Sequence, residues 1–224
     1  MAKHSSLVRR LTLWDRVNVY VVDTPRGPVL VDSAWPGMLG WLTRGLRRHG
    51  VALTDLAGIV LTHAHLDHAR TALALARRGL AIHALAEEVP ILTGQAPAPG
   101  YSGIAGRCLR GVERIVFPHR TFTEVVPLRA DTRLFDSPWR IVASPGHTPG
   151  SLALLHEESG DLLSGDTLVS NGGRPRQADR LFSADHARAR ASARALLELR
   201  PTAIHPGHGR PLPAAAYANV LGDG

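Results

Sequence analysis

Apolar residues along this chain fall in short runs whose period switches between two and about 3.6, with Gly and Pro as punctuation. Segments 17–23 and 28–32 read as strands joined by the turn Thr24-Pro25-Arg26-Gly27. Pro36 opens a helix that runs to about His49 and is closed by Gly50. A strand at 58–62 precedes a helix over about 67–78 that Gly79 ends, and a short strand follows at 80–83. Further strands are expected near 123–128, 139–143, 151–155 and 161–164, then a helix near 185–199 and a last strand at 202–205. Helices mixed with two strand-rich halves predict an α/β fold of two sheets packed face to face with helices outside, a four-layer αββα sandwich. No internal repeat or long linker divides the chain, so residues 1–224 are expected to form a single domain. Residues 94–112 and 169–183 lack a clear period and are candidate pocket-lining loops.

Composition narrows the class. A chain of 224 residues can bury a substantial core, and no apolar run approaches the roughly 20 residues that span a bilayer. The N-terminal residues Met1-Ala2-Lys3-His4-Ser5-Ser6 precede no apolar signal region, so the expected location is cytoplasmic and no membrane partner is expected. A single cysteine, Cys108, permits no internal disulfide and lies outside every donor cluster. The net charge of +7 raises the question of an anionic partner. Its arginines are dispersed, however, and only 4 Phe, 3 Tyr and 4 Trp accompany them. Nucleic-acid binding, which relies on stacking aromatics and recognisable motifs, is therefore disfavoured.

The candidate chemistry sits after the strand at 58–62. Thr62-His63-Ala64-His65-Leu66-Asp67-His68-Ala69 packs three imidazoles and a carboxylate into six residues. These donors suit Zn²⁺ and its first-row neighbours. With 12 His in 224 residues, an H-x-H-x-D-H run arises by chance in roughly two of a thousand shuffled chains, so it signals a site. If the strand stays extended, His63 and His65 point to one side, while Asp67 and His68 fall where the next helix starts and can serve a second metal. Three later segments each end an apolar run with one more donor. These are His147 in Ser144-Pro145-Gly146-His147-Thr148-Pro149-Gly150, Asp166 after Ser164-Gly165, and His208 in Pro206-Gly207-His208-Gly209. Pro and Gly make each of these loops stiff in a defined shape.

The ordered set H-x-H-x-D-H, G-H-T-P-G, S-G-D and P-G-H-G resembles the metallo-β-lactamase-fold hydrolases, in the glyoxalase II and acyl-homoserine-lactone lactonase branch. The resemblance runs from Val29-Leu30-Val31-Asp32 to about Pro211. It implies two divalent metal ions, with zinc favoured and iron or manganese as alternatives. His63, His65 and His147 would hold the first, Asp67, His68 and His208 the second, and Asp166 would bridge them. Asp67 and Asp166 are also the expected catalytic residues. Asp32 matches a carboxylate just outside the ligands, a role that a strand-end turn residue would explain equally well. His205 reads as a histidine that supports a ligand or packs in the core, because His208 occupies the better-matching turn.

The implied reaction is metal-dependent hydrolysis of an ester, thioester or lactone of a small molecule. Many metallo-β-lactamases carry Cys or Ser where this chain has Asp166, which disfavours β-lactam substrates. Only 16 residues follow His208, too few for the glutathione-binding helices of glyoxalase II. Val169 stands where lactonases usually carry Tyr, and Arg70 where many members carry Gly. The alternatives are a mono-iron persulfide dioxygenase, a phosphodiesterase or nuclease favoured by the basic charge, and a non-catalytic metal-binding protein. A dimer is compatible with the sequence.

Overall fold

The computed structural model describes residues 7–97, 108, 111 and 121–220. Its first sheet has six strands: β1 (Val8–Leu13), β2 (Val17–Thr24), β3 (Gly27–Val31), β4 (Gly58–Val60), β5 (Ile82–Leu85) and β6 (Val126–Leu128), adjacent in chain order. The first three strands are antiparallel, and β3 through β6 run parallel. In the second sheet β13 (Leu212–Pro213), β12 (Ala203–Pro206), β9 (Asp161–Gly165), β8 (Leu152–His156) and β7 (Trp139–Ala143) lie side by side in that order. Between β9 and β12 the chain also forms a small hairpin, β10 (Leu168–Asn171) and β11 (Arg174–Gln177).

Strand alternation assigns the layers. On β2, Val17, Val19 and Val21 face one way and pack with Leu42 and Leu46 of helix α1 (Leu39–Arg48) and Ala69, Ala72 and Leu75 of α2 (Leu66–Ala69) and α3 (Ala72–Ala76). Tyr20 and Val22 face the other way, into a cluster with Val31, Val60, Trp139, Ile141, Leu152, Leu154 and Leu163 that fills the space between the sheets. The opposite face of the second sheet, through Ala153, Leu155, Leu162 and Ile204, packs on Ala193 and Leu196 of a long helix, His186–Glu198. Three buried clusters therefore separate four layers, helix, sheet, sheet and helix, as the sequence pattern predicts. No helix among the described residues is long and apolar enough to cross a membrane.

Several boundaries differ from the sequence expectation for identifiable reasons. The helix expected from Pro36 begins at Leu39, because residues 35–38 form a turn closed by Met38 N–H on the Trp35 carbonyl, 3.3 Å. The single helix expected over 67–78 is two pieces. In a continuous helix Ala72 N–H would bond the His68 carbonyl. Here Ser33 takes that carbonyl with both its N–H and its hydroxyl, each at 2.7 Å, and its Oγ accepts Ala72 N–H at 2.9 Å. The strand expected at 80–83 lies at Ile82–Leu85. Residues 169–183, expected to be irregular, contain the β10–β11 hairpin, whose Gly172 and Gly173 adopt φ of +57° and +77°. Those angles suit a two-residue turn that glycines make without strain. Strands β1 and β13 and the short helix α4 (Val89–Leu92) have no counterpart in the sequence expectation. Most of the stretch 94–112 lies outside the described residues.

Candidate metal centre

Five strands deliver the candidate residues to one edge of the sandwich. Asp32 follows β3, residues 62–68 follow β4, His147 follows β7, Asp166 follows β9 and His208 follows β12. Parallel pairing of β3 with β4, and of β9 with β12, brings the carboxyl ends of each pair to the same edge. The two sheets are tied there by Leu152 N–H on the Thr62 carbonyl, 2.9 Å, and Asn18 N–H on the Gly207 carbonyl, 2.8 Å. Tyr20 Oη adds a bond to the Pro206 carbonyl, 2.7 Å, from between the sheets.

All seven residues predicted as ligands meet. Donor atoms of His63, His65 and His147 lie within 4.8 Å of one another, as do those of His63, His68 and Asp166, and those of Asp67, His68 and His208. Asp166 is central. Its Oδ2 stands 3.0 Å from His208 Nε2, 3.5 Å from His147 Nε2 and 3.9 Å from His63 Nε2, and its Oδ1 is 3.4 Å from His68 Nε2. Asp67 Oδ2 lies 3.3 Å from His208 Nε2. Gly207 is needed for this proximity, since a Cβ there would sit 2.3 Å from Asp166 Oδ1 and 2.7 Å from His68 Cε1.

His63 and His65 converge as predicted, with ring centroids 4.7 Å apart, but by a different route. The strand stops at Val60, and both residues lie on a loop. Asp32 Oδ1 takes the Thr62 N–H at 2.8 Å, in place of a further strand partner. Asp32 itself is a turn residue with φ of +63° and also accepts His68 Nδ1–H on Oδ2 at 2.8 Å. Asp32 is thus a strand-end turn residue whose carboxylate also contacts His68. A carboxylate is acceptor-only, so this bond keeps a proton on His68 Nδ1 and directs Nε2 at Asp166 and Asp67 as the nitrogen that a metal would take. Thr62 Oγ1 donates to Asp32 and lies 3.0 Å from His63 Nδ1, which accordingly donates to it and turns the His63 Nε2 lone pair inward. His208 Nδ1 bonds the Arg16 carbonyl, with the same consequence for its Nε2. His205 stands apart, bonded to Asp161 at 2.7 Å and edge-on to Tyr20.

Electrostatics divides the cluster. Burial, reinforced by neighbouring imidazoles, holds His63 and His147 well below the usual histidine range, and burial lowers His65 to about 4. Burial also opposes charge on His68, but Asp166, Asp32 and Asp67 together outweigh it and raise that imidazole well above its ordinary value. His208 is raised to about 9, with Asp166 overcoming its burial. Asp166 is held well below the usual carboxylate range, the positive His208 and His68 prevailing over its own burial. Among the described residues, His63 Nε2 and both His147 ring nitrogens are buried without a hydrogen-bond partner. Buried polar atoms are normally satisfied, and imidazole nitrogens left this way around a central carboxylate are what a cation would complete.

One residue of the centre escaped sequence reasoning. Glu88, fully buried between β5 and α4, accepts Ala64 N–H on Oε1 at 2.8 Å, and Gly150 N–H at 2.8 Å and Thr148 Oγ1 at 3.0 Å on Oε2. Burial pushes its carboxyl up to about 7 against those three bonds. The adjacent acidic pair Glu87-Glu88 at a strand end resembles an ordinary solvated turn, so nothing local marks it.

Residues 12–208 match the family model described as the metallo-beta-lactamase superfamily. The chain is similar to the probable metallo-hydrolase YflN of Bacillus subtilis (strain 168), at 26% identity over 225 residues covering 91% of this chain and 84% of that protein. A hydroxyacylglutathione hydrolase of Shewanella sp. (strain ANA-3) is 32% identical over 69% of this chain, and the match covers 45% of that protein's length. Among solved structures, TTHA1623 in a di-iron-bound form is 28% identical with a TM-score of 0.71, covering 94% of this chain and 97% of that one. The BLEG-1 B3 metallo-beta-lactamase, at 21% identity and a TM-score of 0.64 over 91% of each chain, is a likeness of fold.

Proposed function

Because the chain belongs to the metallo-beta-lactamase superfamily, we propose that it hydrolyses an ester, thioester or lactone of a small molecule at a centre for two divalent metal ions. The observation that carries this reading is the convergence of seven His and Asp donors in three overlapping groups. His63, His65 and His147 would hold one ion, Asp67, His68 and His208 the other, and Asp166 both. When bound, such ions supply Lewis acidity toward a carbonyl oxygen and make a water acidic enough to be a nucleophile near neutrality. Zinc suits this mixture of imidazole and carboxylate, and the di-iron form of TTHA1623 makes iron the competing choice.

The chain's own residues supply orientation and proton handling. Asp32 and Thr62 hold His68 and His63 in the tautomer that presents Nε2 inward, as outer partners of metal ligands commonly do. Asp67 has a partly exposed side chain, with Oδ2 directed at His208. Its other oxygen would face the scissile bond, take up the proton lost by the attacking water and pass it to a departing alkoxide, a role usually contributing about 10²–10⁴-fold. Asp166 is the more enclosed carboxylate, set among four imidazoles, and suits holding the centre together. The hydroxyacylglutathione hydrolase relative supports including thioesters among the candidates.

The deciding experiment is metal analysis of protein purified without added metal, followed by turnover on matched esters, thioesters and lactones, with phosphodiesters and a persulfide alongside. Two metal equivalents with carbonyl-ester turnover are expected. One iron with persulfide oxidation, or phosphodiester cleavage alone, would overturn the reading.

A further inference from the structure

We propose that Glu88 is a positioning residue that sets the spacing between the loop carrying His63 and His65 and the loop carrying His147. The proposal rests on the reading of those three histidines as ligands of one metal.

Glu88 is the N-cap residue of α4, yet its side chain makes no capping bond to that helix. Its carboxylate instead reaches two loops distant in sequence. Oε1 holds the main-chain N–H of Ala64, the residue between His63 and His65. Oε2 holds Thr148 Oγ1 and Gly150 N–H, just after His147. One rigid planar group thus links the two segments whose rings must meet, and they do meet, at centroid separations of 4.7 Å for His63–His147 and 4.5 Å for His65–His147. The His147 loop also lies directly on the Glu88 main chain: a Cβ on Gly150 would approach Glu88 N to 2.4 Å.

The chemistry explains why a carboxylate occupies this place. Main-chain N–H groups cannot reverse their polarity, so a bridge between Ala64 and Gly150 needs an acceptor at both ends. Glutamine offers one acceptor and one donor, and aspartate is a methylene shorter. Glu88 has 0% exposure and no ion pair among the described residues. A buried carboxylate without a countercharge is costly, so its three hydrogen bonds must serve geometry, which a neutral apolar residue could not supply. Metal sites respond to such outer contacts by about 10–100-fold in affinity.

The test is a Co²⁺ titration of the full-length chain in a His208→Ala background, which leaves the His63–His65–His147 group complete. Visible Co²⁺ absorption reports both affinity and ligand geometry. Glu88→Gln and Glu88→Asp are each expected to weaken Co²⁺ binding by about 10-fold or more and to alter its spectrum, while circular dichroism of the metal-free protein stays unchanged. Parental affinity and spectrum in Glu88→Gln, or full rescue by Glu88→Asp, would overturn the positioning role. If neither Glu88 variant folds, Thr148→Val decides, since it removes one of the three bonds and keeps the carboxylate. Weaker Co²⁺ binding there supports the role, and unchanged binding refutes it. Protein with Glu88 intact that takes up no Co²⁺ at all would remove the metal reading, and this proposal with it.

Discussion

Replacing Asp32 with Asn changes one atom and should reverse the polarity of a buried relay. Asp32 Oδ1 accepts the Thr62 N–H at 2.8 Å, Oδ2 accepts His68 Nδ1–H at 2.8 Å, and Thr62 Oγ1 donates to Oδ2 at 2.8 Å. In Asp32→Asn the amide oxygen must stay opposite the Thr62 N–H, because that donor cannot turn. The amide NH₂ then faces His68 Nδ1 and Thr62 Oγ1. His68 is driven to the tautomer that carries its proton on Nε2, toward the donor cluster. Thr62 Oγ1 also lies 3.1 Å from Oδ1 and can keep donating to the amide oxygen, so the disturbance falls chiefly on the tautomer of His68. The alternative is a buried donor facing a donor, which costs about 1–3 kcal/mol. At about 1.36 kcal/mol per decade, this corresponds to roughly 5- to 150-fold. That interval brackets the 10–100-fold loss typical of altered outer partners of metal ligands. The assay is Zn²⁺ competition against a chromophoric chelator, with circular dichroism to verify the fold. The equivalent assigned to Asp67, His68 and His208 should weaken more than the one assigned to His63, His65 and His147, because the reversed polarity falls on His68. A folded Asp32→Asn protein that binds both equivalents with parental affinity would refute the tautomer argument.

Three further outcomes are expected. At pH 7, metal entering the His63–His65–His147 group should release almost no protons from its ligands, because those imidazoles are lowered and already neutral. Metal entering at His68 and His208 must displace protons from groups raised above their ordinary range, so affinity there should rise with pH at least as far as the His208 value of about 9. Calorimetry in buffers of different ionisation enthalpy measures this, and equal proton release from both phases would contradict it. Asp67→Asn should slow oxygen-ester or lactone hydrolysis more than thioester hydrolysis, since a thiol of pKa about 8.5 leaves without a proton. Equal losses on matched substrates, at unchanged metal content, would limit Asp67 to ligation. Trp14 is 83% exposed and holds φ of +53° in the β1–β2 turn, a conformation costing an L-residue roughly 1–2 kcal/mol. After the extra unfolded-state freedom of glycine is discounted, Trp14→Gly should stabilise by about 0.5–1 kcal/mol and raise Tm by roughly 1–4 °C. A lower Tm in a thermal melt would show that the indole makes a stabilising contact.

What the sequence determined by itself was the inventory of layers and donors. Period-two alternation on β2 sorts Val19 and Val21 from Tyr20 and Val22 before any contact is known, and the structure puts those two sets in different cores. Four of the seven donors were legible from the H-x-H-x-D-H spacing, and the other three because each ends an apolar run in a Gly- or Pro-marked loop, local signals with local causes. The hairpin at Gly172-Gly173 was equally local and could have been read from its glycine pair. Tertiary structure alone decided the rest. The break between α2 and α3 depends on Ser33 capturing the His68 carbonyl from 35 positions away. His63 and His65 meet through a loop bonded to Asp32 and Glu88, and strand alternation plays no part in it. Glu88 shows the division most clearly: as a residue type it belongs on the surface, and its burial follows from unsatisfied N–H groups on loops 24 and 62 positions away. Donor identity and strand period are properties of neighbouring residues, so a sequence displays them. Which distant N–H needs an acceptor exists only once the two sheets have closed on each other.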